Sequence, residues 1–337
     1  MNNNTSYDIN QVTEAENADK TEFRRICNNA GFMTLATGMF FFAFSFTISE
    51  AFKALLRILP ELPSNVDSLP DSIYSGIINL VAIGLLGLVF IKINKNNKYE
   101  QLPVKKVSGK TLNYLIIIGF SVCMLSNYLT NLFLSNAYDL GINLYHESLG
   151  LPRESFIEIL FYILSVAAVP AVSEEILFRG ALLSTLRKHS DGFAILVSSL
   201  IFGLFHGNFV QFPFAFIVGL VLSLTVVYTN SMLPAIAIHF INNLFSIICD
   251  LLSRNSAIWG IDLTICNIII NFFISALIIV AIFFAKKISE TDRTFLSLNR
   301  YSGKLTAKEV RKEFFKSPGI LAAALFLSIE TISNHLF

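Results

Sequence analysis

Long apolar stretches separated by short polar connections occupy most of this 337-residue chain. They fall at about 31–49, 73–93, 111–134, 155–186, 192–208, 212–229, 232–252 and 263–285. Each approaches or exceeds the roughly 20 residues that a helix needs to cross a bilayer. The pattern therefore predicts an all-α polytopic membrane protein with about eight transmembrane helices. The first stretch is longer than the core of a signal peptide and follows acidic residues, so it reads as a retained span. Before it, residues 1–28 are polar and mixed in charge, which suggests a flexible cytoplasmic tail. After Pro318 a last apolar stretch, 319–337, contains Glu330 and His335. It reads either as a segment lying on the membrane or as a ninth, partial span.

Composition agrees with this layout. The chain is 54% hydrophobic and only 15% charged, against about 25% charged in soluble proteins. A net charge of +1 gives no footprint for nucleic acid. The charges are instead sorted by connection. Residues 92–110 hold six lysines against one glutamate, Arg187 and Lys188 mark a second basic connection, and 286–316 hold nine basic residues. The alternate connections are acidic: 50–72 carries four acidic and two basic residues, and 135–154 three against one. Lys and Arg concentrate on the cytoplasmic side, so both termini are expected there, in a plasma membrane of bacterial type. Residues 286–316 read as a solvated segment, with lipid headgroups as an alternative contact. The four cysteines are scattered and read as small buried hydrophobes. No internal repeat is visible, which weakens a transporter built from related halves.

Against this apolar background some polar residues stand out. Ser173-Glu174-Glu175-Ile176-Leu177-Phe178-Arg179-Gly180 places two carboxylates and a guanidinium inside the fourth stretch. Phe202-Gly203-Leu204-Phe205-His206 lies in the fifth, and His239-Phe240-Ile241-Asn242-Asn243 in the seventh. Ionisable residues in hydrocarbon are costly and mark functional sites by default. At 1.5 Å per residue, Glu174, Glu175 and His206 lie roughly 20 Å below the basic end and His239 about 12 Å, so a catalytic cavity shared by three helices is expected. Glu175 and Arg179 are four apart, on one face, and so able to pair. Glu174 is rotated away, which leaves it freer to face the cavity. His239 and Asn243 share the same spacing, and so do Phe202 and His206. Gly180 and Gly203 allow close helix approach beside these groups.

A desolvated glutamate suits a general base that activates water. Histidines can hold the water, bind a metal or stabilise an oxyanion, and a neutral asparagine suits the last task. Hydrolysis of an amide bond within the membrane is the chemistry that fits. A divalent metal such as zinc on Glu174, His206 and His239 stays open, because this spacing is not a specific metal signature. The chain has no HExxH motif, since His146-Glu147 lies in a connection without a second histidine. Isolated polar residues of this kind also serve helix packing alone. Glu158 and Asp250 are read as facing water near span ends, and His189 as a loop residue without a partner. Phe178 and Phe202 are candidates for a substrate groove.

Glu174-Glu175-xxx-Arg179, Phe202-xxx-His206 and His239-xxx-Asn243 together resemble, in order, the three motifs of the CPBP intramembrane proteases, also called Abi or CAAX-protease and bacteriocin-processing proteins. The resemblance implies that Glu174 activates water with help from His206, that His239 and Asn243 form an oxyanion site, and that Glu175 and Arg179 support them. It leaves metal dependence open, and implies a peptide or protein substrate reached from the membrane or the cytoplasm. The chain then divides into 1–28 (tail), 29–150 (N-terminal spans), 151–255 (catalytic core), 256–285 (last span) and 286–337 (basic and apolar C-terminal segments). The competing classes are a non-catalytic scaffold or bacteriocin self-immunity protein and, less favoured, a transporter.

Overall fold

The computed structural model describes residues 4–58, 69–94, 103–142, 155–298 and 305–336. Connection 143–154, with His146 and Glu147, and much of 92–110 lie outside the described residues. The rest is helical: α1 (Asn4–Leu56), α2 (Leu69–Ile93), α3 (Gly109–Asp139), α4 (Phe156–Leu186), α5 (Asp191–Leu204), α6 (Phe212–Thr229), α7 (Leu233–Trp259), α8 (Leu263–Thr291), α9 (Ala307–Phe314) and α10 (Pro318–Leu336).

Seven of the helices are long and apolar enough to cross a membrane, or eight if α9 and α10, bent by 65°, count as one span. The all-α polytopic expectation holds, but two of its elements change. The stretch 192–208 forms only the 14-residue α5, about 21 Å long. It stops where Gly207 turns back at φ 64° towards α6. Residues 4–28 are no flexible tail but the first part of a continuous α1. Phe23, Ile26 and Cys27 of this segment are buried, because the surrounding charges lie on other faces of the helix and pair with α9. Lys20 bonds Glu309 at 2.8 Å, and Arg24 pairs with Glu313.

Local chemistry sets the ends. Ser108 accepts from the Thr111 amide at the start of α3, and Asp262 from the Thr264 amide at the start of α8, at 2.7 Å. Asn230 ends α6 in the left-handed region at φ 50°. Pro234, in the first turn of α7, needs no amide donor there.

Small residues fix how the helices meet. A Cβ on Gly76 would lie 2.9 Å from the Ser165 hydroxyl, one on Gly84 3.0 Å from Cβ of Ser173, and one on Gly87 3.0 Å from the Leu177 backbone. The partners rise together, so α2 and α4 run parallel. The same holds for α1 and α10, where Gly31 packs against Gly319 and Ile320, and Gly38 against Phe326. Helix α10 thus lies beside α1 within the bundle rather than along its surface. It runs away from the end of the bundle at which α1 enters.

The basic connections meet at one end of the bundle. Residues 103–105 pair with 230–232, through Met232 N–H to Pro103 O at 2.7 Å and Lys105 N–H to Asn230 O at 3.0 Å. Arg187 reaches Asn230, Tyr228 donates to Asp292, and Phe23 meets His189. His189 is therefore a packed residue, edge-on between Phe23 and Phe193 at 4.6 and 5.5 Å, rather than a partnerless loop residue. Glu158 is fully buried and does not face water, because its face of α4 turns inward towards the bundle. Asp250 is exposed, as expected.

Candidate active site

Helix α4 carries the centre and is not a regular α-helix. It winds as a π-helix over Leu164–Ala168 and again over Ile176–Leu183, immediately after the two glutamates. Such wide turns recur at functional sites. They rotate the residues that follow and shorten the helix, and the second of them, between the glutamates and the basic end, closes part of the difference in depth from His239 counted from sequence.

Glu175 and Arg179 are fully buried and bonded, Arg179 Nη1 to Glu175 Oε1 at 2.7 Å. The guanidinium also donates to the Gly219 carbonyl of α6 at 3.3 Å, and its centre lies 4.4 Å from the Phe202 ring. Gly219 fits because α6 passes α5 too closely for a side chain; a Cβ there would lie 3.0 Å from Ser199.

His239 Nδ1 stands 3.0 Å from the same Oε1 of Glu175. A carboxylate paired with an arginine can only accept, so Nδ1 carries the proton. The other nitrogen, Nε2, faces Glu174 Oε2 across 3.8 Å. That separation is too long for a direct hydrogen bond, and Glu174 Oε2 is buried without a hydrogen-bond partner, which a water bridging to Nε2 would supply. Glu174 keeps 15% of its side-chain surface, whereas Glu175 has none. The two neighbouring carboxylates thus differ, Glu175 being locked and Glu174 open.

His206 sits in the turn just past the end of α5, rather than in mid-helix. Its Nδ1 is 2.8 Å from the Phe202 carbonyl, which again places the proton on Nδ1 and leaves Nε2 as an acceptor. Asn208 donates to the His206 carbonyl at 2.9 Å and accepts from the Gln211 amide at 2.7 Å, which fixes the turn. The Phe202 ring stands between the two histidines, 5.0 Å from His206 and 6.0 Å from His239. Phe178 packs edge-on against it at 5.0 Å. Both phenylalanines are buried and serve as packing beneath the centre rather than as an open groove.

Asn243 donates through Nδ2 to the Val166 carbonyl of α4 at 3.3 Å, and Asn242 donates to Asn243 Oδ1 at 3.3 Å. Glu174, Glu175, Arg179, His239 and Asn243 are thus brought together between α4 and α7, with His206 joined to them through Phe202. The Gly219 carbonyl, Val166 and Asn242 are site components that the motifs did not single out. A carbonyl has no sequence signal, and Asn242 differs from its neighbour Asn243 only by register.

Both histidines hold the tautomer that metal ligands adopt, with the second nitrogen bonded to oxygen. Among the described residues, however, no three His, Cys, Asp or Glu side chains converge on a point where an ion could sit. The donor set does not fit a metal as arranged.

These features define an integral membrane protein whose helices enclose a buried carboxylate–histidine–arginine centre. Residues 156–245, which contain the whole centre, match the family model described as type II CAAX prenyl endopeptidase Rce1-like. The chain is also 28% identical over 185 residues to the membrane-embedded CAAX protease MroQ of Staphylococcus aureus, strain USA300, covering 52% of this chain and 72% of that protein. The likeness to the CPBP intramembrane proteases, first carried by the three motifs, is borne out by both comparisons. They support an intramembrane protease. No solved structure matches the chain.

Proposed function

We propose that the protein is an intramembrane endopeptidase in which Glu174 is the general base, His239 stabilises the oxyanion and the Glu175–Arg179 pair sets the state of His239. The observation that carries this reading is the chain of contacts from Arg179 through Glu175 to His239 Nδ1, ending with Nε2 opposite Glu174.

Charge balance in a low dielectric gives the proton count. Two carboxylates and one guanidinium sum to −1, so one further proton on the Glu174–His239 pair makes the cluster neutral. Unpaired charge is penalised strongly there. With that proton on His239, Nε2–H becomes a donor and Glu174 stays a carboxylate. A water held between them gives one proton to Glu174 while its oxygen attacks the peptide carbonyl. Negative charge moves to the carbonyl oxygen, where His239 Nε2–H donates to it, and the cluster and oxyanion together remain neutral. The proton on Glu174 then passes to the leaving nitrogen as the C–N bond breaks. His206 lies beyond the Phe202 ring and supports the centre through it.

The substrate class is a membrane-associated polypeptide or prepeptide whose cleavage site enters between α4 and α7 from the bilayer or the basic end. MroQ is named as a CAAX protease; for this chain, prenylation of the substrate is not required by any residue of the centre. The basic end faces the cytoplasm of a bacterial-type plasma membrane by the distribution of Lys and Arg. The test is a comparison of peptide termini in membranes from cells expressing wild type or Glu174→Gln at matched levels. Termini that depend on wild type are expected. Identical profiles with both proteins folded would overturn the reading in favour of a non-catalytic scaffold.

A further inference from the structure

Helices α3 and α8, which contribute no side chain to the centre, meet at the basic end of the bundle. Two contacts fix their register: Ser121 donates to the Leu277 carbonyl at 3.2 Å, and Tyr114 stacks on Phe284 with ring centres 4.3 Å apart. The second contact lies seven residues back along α3 and seven on along α8, so the two helices are antiparallel. One turn further towards the basic end, Lys110 and Lys287 come level with each other. Each ammonium group lies 5.9 Å from the centre of the Tyr114 ring, and that of Lys287 also lies 5.6 Å from the centre of Phe283. Phe284 covers one face of Tyr114, which leaves the other face and the rim to both cations. Among the described residues neither lysine pairs with a carboxylate; Glu290, one turn on, is held by Lys286 at 3.9 Å. A ring attracts a cation, but two cations on one ring repel each other, and less solvent screens them at a membrane edge than in bulk water.

We propose that Lys110 and Lys287 hold the headgroup phosphate of an anionic lipid of the cytoplasmic leaflet, whose acyl chains run along α8 over Phe283, Ile282 and Ile279. These three apolar side chains are exposed, and α8 packs chiefly along α3, so the surface below the lysines is open to hydrocarbon. It gives way to the two cations within about one turn, where a lipid changes from chain to headgroup. Lysine stems bridge these two levels, apolar along their length and charged at the tip. Basic pockets between membrane helices on the cytoplasmic side take anionic headgroups. A phosphate set between the ammonium groups removes their mutual repulsion. A choline lipid brings its own cation to the same place, and a soluble acidic peptide leaves the apolar surface uncovered, so both fit less well. The proposal does not depend on the hydrolase reading.

The test uses the full chain in a neutral detergent, titrated with phosphatidylglycerol or phosphatidylcholine and read by native mass spectrometry and thermal midpoint. Wild type is expected to retain a bound phosphatidylglycerol and to melt higher with it, and to do neither with phosphatidylcholine. Lys110→Gln/Lys287→Gln is expected to bind phosphatidylglycerol at least about tenfold more weakly, because each cation near an anionic headgroup contributes severalfold. Lys110→Arg/Lys287→Arg keeps both charges and is expected to stay within about threefold of wild type. Lys308→Gln/Lys312→Gln removes the same charge from α9, elsewhere on the basic end, and is expected to bind as wild type does. Equal weakening by the α9 pair would overturn the proposal in favour of diffuse charge attraction. Equal binding of the two lipids would overturn it too, as would a tetraglutamate peptide that displaces phosphatidylglycerol at equal concentration. If the glutamine double variant does not fold, the two single variants decide, each expected to bind about three- to fivefold more weakly; unchanged binding in both would overturn the proposal.

Discussion

Glu175→Gln separates the structural task of the centre from its chemistry. Both partners of the Glu175–Arg179 pair are shielded, with 0% and 1% of their side-chain surface exposed. Removing one charge of a buried pair strands the other, at about 3–5 kcal/mol. Arg179 would keep the Gly219 carbonyl at 3.3 Å and the face of Phe202 at 4.4 Å. A desolvated cation–π contact contributes about 2 kcal/mol, which places the expected loss near the lower end, at about 3 kcal/mol. Glu175→Gln/Arg179→Met removes both charges and is expected to recover most of that loss, since apolar replacement of a buried pair is often neutral or favourable. Cleavage should remain lost in both variants, because His239 Nδ1 no longer faces a carboxylate that fixes its proton. Unfolding in detergent gives the stability, and release of peptide termini gives the activity. A single variant within about 1 kcal/mol of wild type would refute the buried-pair argument, and a double variant with full turnover would refute the role given to Glu175.

Three further outcomes follow from the fold. Gly31→Ala places a Cβ 2.1 Å from the Gly319 carbonyl carbon, and backbone cannot yield as a side chain can. A loss of about 2 kcal/mol is expected, and a raised thermal midpoint would contradict the parallel packing of α1 and α10. A reporter fused after residue 337 is expected on the side opposite Lys105, as judged by accessibility to an impermeant reagent; labelling of both from one side would show that α10 does not cross. Asp292 is held below its usual value of 3.8, first by the Thr294 hydroxyl and then by the Thr294 amide and the Tyr228 hydroxyl. A lowered value in the folded state means that its contribution is present above about pH 4 and fades as the pH falls through the folded value. Hydrogen exchange around 292–297 should therefore rise below pH 4 in wild type, and in Asp292→Asn it should be high at all pH values.

The spans were legible because hydropathy reports length and apolarity directly, and the motifs because a charged residue inside such a run is conspicuous. Where this failed, the cause was averaging. A window over 192–208 cannot distinguish a full crossing from the 14-residue α5 followed by a turn. The charges before residue 28 hid an α1 whose Phe23, Ile26 and Cys27 line a buried face. The place of Glu158 near a helix end suggests water, yet which face a residue occupies depends on neighbouring helices, and Glu158 is buried. The depth count from 1.5 Å per residue left His239 about 8 Å from the glutamates, and the π-wound turn of α4 after the glutamates accounts for part of that difference. Within the site, Glu175–Arg179 was legible from its spacing. The Gly219 carbonyl and the Asn243–Val166 bond were not, since backbone acceptors become visible only once helices are packed.

The most direct test of the central claim uses purified protein in liposomes and a synthetic peptide spanning a cut junction found in cells. The reaction is run in H2-18O with wild type and with Glu174→Gln. The account predicts one labelled oxygen in the new carboxylate with wild type, and a rate lowered by about 10²–10⁴-fold in Glu174→Gln, with the variant folded as judged by its thermal midpoint. A Glu174→Gln protein that cleaves within about tenfold of wild type would contradict the assignment of Glu174 as the base.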